Sequence, residues 1–280
     1  MNLFSKILLA FFFVFSASAI AQDEVTQGSQ QTAQPHTLEA KQTPEAAQST
    51  AKILPKITLE TVLEKYRKRG EEKWEEKIQV LESRNAEEGE SPADSLLFYG
   101  SSSFRRWDTI KTDMAPFPAI NRGYGGAKYV DMVLFAERML KPHQYRALML
   151  FSANDVKGED KDSSPEEVAC VLREIIRVSK GHLPDAPIFI VEVTPTESRF
   201  AAWEKTRAIN ATLREIALTT DNTWFIATAQ HFLKPDGTPK PELFVEDKLH
   251  LNQQGYTKWA GLLKSQLNSF LPAKVDSETK

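Results

Sequence analysis

The sequence predicts a three-layer α/β/α sandwich, a parallel sheet covered by helices on both faces, and three observations carry that expectation. Short apolar runs of strand length recur at 96–99 (LLFY), 119–121 with its flank, 147–151 (ALMLF), 188–193 (IFIVEV) and 224–227. Helical patterns lie between and after them, at 129–140, 165–180, 200–218 and 253–271, and repeated βα alternation calls for a parallel sheet with helices on both sides. The composition, 41% hydrophobic and 26% charged residues, is that of an ordinary globular chain and sets aside collagenous, wholly disordered and multi-span membrane architectures.

The segments in front of the sheet have other roles. Lys6, the apolar run 7–15 (ILLAFFFVF) and the small residues Ala17-Ser18-Ala19 or Ala19-Ile20-Ala21 predict a secretory signal peptide over 1–21, cleaved near Ala19 to Gln22. The competing membrane anchor needs about 20 apolar residues, and serines interrupt this run early. No stable membrane span is expected after processing, and the chain is expected to be secreted or periplasmic. Residues 22–55 shift to Gln, Thr, Ala, Pro and Glu, a composition that buries too little apolar surface to offset ordering entropy, so a disordered tether is expected there.

The domain proper is expected over 56–272, followed by a flexible tail at 273–280. It opens on an amphipathic helix at 57–84, where Leu59, Leu63, Tyr66, Trp74, Ile78 and Leu81 recur at helical spacing. Gly70 falls on the same face and permits a kink or a close contact. The competing reading is a coiled-coil dimer, but the heptad pattern is short and broken, and the oligomeric state stays open. The best-marked boundary is that of the 165–180 helix: Ser164 as N-cap, Pro165 at the first helical position, Glu167 closing a capping box and Gly181 past the end. Cys170, inside it, reads as a small packed residue.

Charge and cysteine content exclude several functions. Lys and Arg number 35 against 38 Asp and Glu, a net charge of -3, without the basic excess that phosphate-backbone binding needs, so no nucleic-acid partner is expected. One cysteine rules out an intrachain disulfide and any multi-cysteine metal site. His36 lies in the tether, and His143, His182 and His231 have no partners at metal-ligand spacing, so neither a metal nor another cofactor is expected.

In an open parallel sheet, ligands bind outside the carboxyl ends of the strands. The residues at those ends here are Gly100-Ser101-Ser102-Ser103, Asn121-Arg122-Gly123-Tyr124-Gly125-Gly126 and Ser152-Ala153-Asn154-Asp155, with Asp247-Lys248-Leu249-His250 ahead of the last helix. Each suits acyl transfer. A serine at a strand-to-helix turn is exposed beside unpaired backbone N–H groups, and a glycine lets a backbone N–H approach the substrate. An asparagine amide can donate to the same oxygen; a histidine takes the serine proton while a carboxylate holds its tautomer. Singly these motifs are weak: serine-rich and Gly-Gly turns are common, Asn-Asp pairs mark turns, and Asp-x-x-His arises by chance. Their occurrence in sheet order, each at a strand end or helix start, is what gives them weight.

Gly100-Ser101-Ser102, Gly126, Asn154 and Asp247-x-x-His250 together resemble the four blocks of the SGNH hydrolases, or GDSL-type esterases and lipases. The similarity runs from about Trp74 to Leu271 and is greatest to a secreted branch whose first block reads Phe-x-Gly-Ser-Ser-Ser, as in Phe98 to Ser103 with Trp107 following. The resemblance implies a flavodoxin-like fold, Ser102 as nucleophile, His250 as base and Asp247 as its orienting partner. It also implies an oxyanion hole of the Ser102 and Gly126 N–H groups and the Asn154 amide. Ser101 stands where the eponymous motif has aspartate, and Ser152 where the third block has glycine; neither position supplies a catalytic group.

Arg122 and the 195–200 segment (PTESRF), with Arg199, are expected to face the same crevice as substrate-pocket residues, structural salt bridges being the alternative for both arginines. Trp107 and Trp203 read as core rather than sugar platforms. The function expected is a secreted serine esterase of small esters, acetyl or carbohydrate esters among them, acting through an acyl-enzyme on Ser102. The alternatives are an O-acyltransferase using the same triad and a catalytically silent carbohydrate- or envelope-binding protein of the same fold.

Overall fold

All five expected strands form in the computed structural model, which describes residues 57–271: β1 (Leu96–Gly100), β2 (Ala119–Gly123), β3 (Ala147–Phe151), β4 (Ile188–Val191) and β5 (Thr223–Ile226). The expected signal peptide, tether and tail lie outside the described residues. The strands pair in parallel in the order β2-β1-β3-β4-β5. This is the flavodoxin-like order, in which the chain reverses its winding at β1 and β3 and opens a crevice between their carboxyl ends.

Side-chain alternation along the strands feeds two apolar layers. On one face Leu97, Tyr99, Leu148, Leu150, Ile188 and Ile190 meet α1 (Leu59–Glu88), α4 (Tyr129–Leu140), α5 (Pro165–His182) and α6 (Trp203–Leu218). On the other Leu96, Phe98, Met149, Phe151 and Phe189 meet the one-turn helices α2 (Ser102–Arg105) and α3 (Ile110–Asp113) and the closing helix α7 (Gln253–Phe270). Trp107, Tyr256 and Trp259 stack in this second layer behind the turn that follows β1, so Trp107 is a core residue.

Helix α1 runs from a Thr58 cap, whose hydroxyl accepts the Thr61 N–H, and buries Val62, Tyr66, Gly70, Trp74, Ile78 and Leu81. Leu59 and Leu63 are only half-buried; Val62 takes the position expected for Leu63. This stripe is consumed within the chain, against α4 and α5. A Cβ on Gly70 would collide with Leu134 of α4, so the glycine serves close approach rather than a kink. Ion pairs from Arg138 to Glu75 and Glu82, Arg69 to Asp131 and Lys65 to Glu167 border the contact.

The Ser164 capping box is present with Pro165 inside it, but α5 continues through Gly181 to His182. Gly181 has open space around it, and an exposed glycine in a helix costs only about 1 kcal/mol. The expected 200–218 helix is split, a 3-10 turn at Glu197–Ala202 leading into α6.

Arg122 requires a correction. Asn121 and Arg122 are successive residues of β2 and therefore point to opposite faces; Arg122 takes the face covered by α1. It is 1% exposed, donating to Asn85 Oδ1 (2.8 Å), to the Asn121 carbonyl (2.9 Å) and to Glu88 Oε2 (2.7 Å). It ties down the end of α1 and does not line the crevice.

Candidate active site

Ser102 is the first residue of α2, directly beyond β1. Of the three adjacent serines, Ser101 is buried and its N–H is spent on the Phe151 carbonyl of β3. The carbonyl of Ser103 accepts the Tyr256 hydroxyl at 2.8 Å. Ser102 Oγ lies 2.9 Å from His250 Nε2, and its own N–H has no acceptor among the described residues.

His250 is held by the loop that precedes α7. An antiparallel bridge pairs Phe244 with Leu251, the Val245 N–H donates to the His250 carbonyl, and Asn252 caps α7 by accepting the Gly255 N–H. Lys248 adopts φ +55°, which turns the chain tightly enough for Asp247 Oδ1 to accept the N–H groups of Leu249 (3.0 Å) and His250 (2.9 Å). The other oxygen, Oδ2, lies 2.6 Å from His250 Nδ1. Partial burial alone would raise the Asp247 carboxyl, but the His250 and Leu249 N–H groups and the imidazole outweigh it and hold the group well below the usual carboxylate range. An ionised carboxylate only accepts, so Nδ1 carries the proton and Nε2 is left to accept from Ser102.

Asn154 follows β3 and is 4% exposed. Its Nδ2 donates to the Ala127 carbonyl (3.1 Å), leaving one N–H over, and its Oδ1 accepts from Arg199 Nη2 (3.0 Å). Ser152 Oγ lies 3.0 Å from the same Ala127 carbonyl and 2.8 Å from Asp155 Oδ2. Asp155 also accepts the Tyr129 N–H at the start of α4. Burial pushes its carboxyl up to about 6, against the Tyr129 and Ser152 donors. Serine in place of the third-block glycine thus helps to tie this loop to the one after β2.

Ser102, Asn154, Arg199 and His250 line one hollow of about 20 Å3, walled by Phe151, Thr194, Thr196, Leu251 and Trp259. Ser102 and Asn154 meet there because β1 and β3 are neighbours whose carboxyl ends bound the switch-point crevice. Gly126 is not among the lining residues. It sits in the turn between β2 and α4 at φ +82°, where a Cβ would lie 3.4 Å from Trp74. Arg199 lines the hollow and Arg122 does not.

Arg106 was not anticipated. Its Nη1 lies 3.0 Å from Asp247 Oδ2. The signal was its position four residues after Ser102, one helical turn on. No group of three or more potential metal-ligating side chains clusters among the described residues, and no described helix is long and apolar enough to cross a membrane.

Solved structures share this architecture. A Streptococcus pneumonia protein named for platelet activating factor superposes with a TM-score of 0.60 at 22% identity, covering 74% of this chain and 97% of its own. A GDSL-like lipase from Bacteroides thetaiotaomicron gives 0.60 at 16% identity over 69% and 98%, and the lipase/acylhydrolase from Enterococcus faecalis 0.53 at 16% over 63% and 96%. At these identities the likeness is one of fold. A search of curated proteins gives no match. The profile of the GDSL-like Lipase/Acylhydrolase family matches residues 89–258, more than half the chain. That stretch runs from the loop before β1 into α7 and takes in all four strand-end blocks, so the chain belongs to the GDSL-like lipase/acylhydrolase family, the SGNH hydrolases, whose members act on esters.

Proposed function

We propose that this protein is a serine esterase that hydrolyses short-acyl esters, acetyl esters foremost, through an acyl-enzyme on Ser102. The observation that carries the reading is the unbroken row from Ser102 Oγ to His250 Nε2 at 2.9 Å and from His250 Nδ1 to Asp247 Oδ2 at 2.6 Å. In that row His250 removes the Ser102 proton as Oγ attacks the ester carbonyl, and the ionised Asp247 stabilises the imidazolium that forms. The oxyanion is met by the Ser102 N–H and the spare Nδ2–H of Asn154. The family resemblance implies the Gly126 N–H as a third donor, but Gly126 does not line the hollow beside Ser102, so the reading rests on the other two. His250 then protonates the leaving alcohol. Water, activated by the same imidazole, attacks the acyl-enzyme to release the acid and restore Ser102.

The hollow beside Ser102 supports the acyl preference. A water molecule needs roughly 10–15 Å3, so about 20 Å3 leaves room beside Ser102 for a methyl-sized group. The alcohol side is open, with Asp247 41% exposed, which suits a bulky alcohol such as a sugar. The basic residue and apolar run of the first 21 residues support secretion or a periplasmic location. Replacing Ser102 by alanine and assaying nitrophenyl acetate tests the reading: a loss of about 10³-fold or more in kcat is expected, and unchanged turnover ends it.

A further inference from the structure

An asparagine amide has two chemically opposite ends, and an oxyanion donor works only if nitrogen faces the reacting oxygen. Two contacts fix that choice at Asn154: Nδ2 to the Ala127 carbonyl and Oδ1 to the Arg199 guanidinium. Turned over, the amide would set oxygen against a carbonyl and hydrogen against hydrogen. Arg199 is itself anchored by Nη1 donating to the Ala153 carbonyl at 2.6 Å. The turn that carries it is tied to the His250 loop, through the Ser198 N–H to the Lys248 carbonyl and the Lys248–Glu197 pair.

The charge balance around Arg199 is unlike that of Arg122 and Arg138. Arg122 pairs with Glu88, and Arg138 with Glu75 and Glu82. Among the described residues no carboxylate lies within ion-pair distance of Arg199. Glu159 and Asp162 act on it only from further off, and Asp162 is engaged by Lys205 and by three backbone N–H groups. Burial draws the Arg199 guanidinium below its ordinary value, the mark of a cation removed from water without a close counter-charge. Such a group is costly in a fold, and its charge is directed onto a neutral amide oxygen. Charge-assisted bonds are stronger than neutral ones, and polarisation passes along a chain of hydrogen bonds.

We infer that Arg199 is a positioning residue of the oxyanion site, fixing and polarising the Asn154 amide so that its spare Nδ2–H donates to the developing oxyanion. The inference rests on the serine-esterase reading above. It is tested on the full chain with nitrophenyl acetate, comparing wild type, Arg199→Met, Asn154→Ala and the double variant, with Ser102→Ala alongside. Asn154→Ala is expected to lower kcat by about 10²–10³-fold. Arg199→Met is expected to lower kcat by about 10-fold or more with KM within about 3-fold, and the double variant to match Asn154→Ala within about 3-fold. Arg199→Lys, which keeps charge and stem, should recover part of kcat, and only where Asn154 is present; it carries the same comparison if the methionine variant does not fold. An Arg199 effect that persists in full without Asn154, or that falls on KM, overturns the inference. Ser102→Ala retaining turnover would instead overturn the esterase reading, so the two failures are distinguishable.

Discussion

Arg106 shares an oxygen of Asp247 with the imidazole: its Nη1 lies 3.0 Å from the same Oδ2 that His250 Nδ1 meets at 2.6 Å. The two partners of this ion pair are 43% and 41% exposed. A pair so open to water is worth about 1 kcal/mol or less, and the carboxylate is already oriented by the Leu249 and His250 N–H groups. Arg106→Gln is therefore expected to lower kcat/KM by no more than about 5-fold. Asp247→Asn, which presents an amide to Nδ1 and spoils the tautomer, should cost about 10²–10⁴-fold. Steady-state kinetics on nitrophenyl acetate separates them; equal losses would make Arg106 a full member of the row.

The proposed preference for acetyl esters predicts a dependence on acyl-chain length. Forcing extra methylenes into a packed site costs roughly 1–3 kcal/mol, so kcat/KM for butyrate is expected about 10- to 100-fold below that for acetate. Leu251→Ala should narrow that gap by opening the wall, while lowering stability by about 2–4 kcal/mol through the cavity left in the core. A series of nitrophenyl esters with urea unfolding of both proteins makes the measurement. Octanoate turned over faster than acetate by the wild type would contradict the volume argument.

Much of the architecture was legible because burial writes itself into strands and helix caps. The runs LLFY and ALMLF are apolar throughout since β1 and β3 are covered on both faces, and Ser164-Pro165-x-Glu167 announces a helix start by local chemistry alone. The strand-end blocks could be ordered on the sheet for the same reason. Arg122 misled because the side of β2 it takes depends on a one-residue alternation and on what α1 covers, and the four letters around it specify neither. The tight turn at Asp247 to His250 depends on Lys248 at φ +55°, a conformation that a lysine does not advertise. The hand-off from Arg199 to Asn154 is a contact between segments far apart in the chain, invisible to spacing.

Asp155 and His143 give the stability a pH dependence of opposite signs. Burial pushes Asp155 up to about 6, above the roughly 3.9 of an unfolded aspartate. Its proton-linked stabilisation is complete below about pH 4 and is lost as pH rises through 6, a change on the order of 2–3 kcal/mol. Burial, with the nearby Arg122 charge, pulls His143 down to about 4, below the roughly 6.5 of a free imidazole, so its contribution is present above pH 6.5 and is lost as pH falls through 4. Urea unfolding at pH 4, 5, 6 and 7 should show wild type losing stability relative to Asp155→Asn as pH rises, and gaining relative to His143→Gln. Flat difference curves would contradict both assignments.

Covalent trapping tests the proposed nucleophile directly. After reaction of the folded protein with a fluorophosphonate, peptide mass spectrometry is expected to find one adduct, on Ser102, absent in Ser102→Ala and strongly diminished in His250→Ala. An active esterase that stays unlabelled, or that carries the adduct on Ser101 or Ser103, would contradict the account.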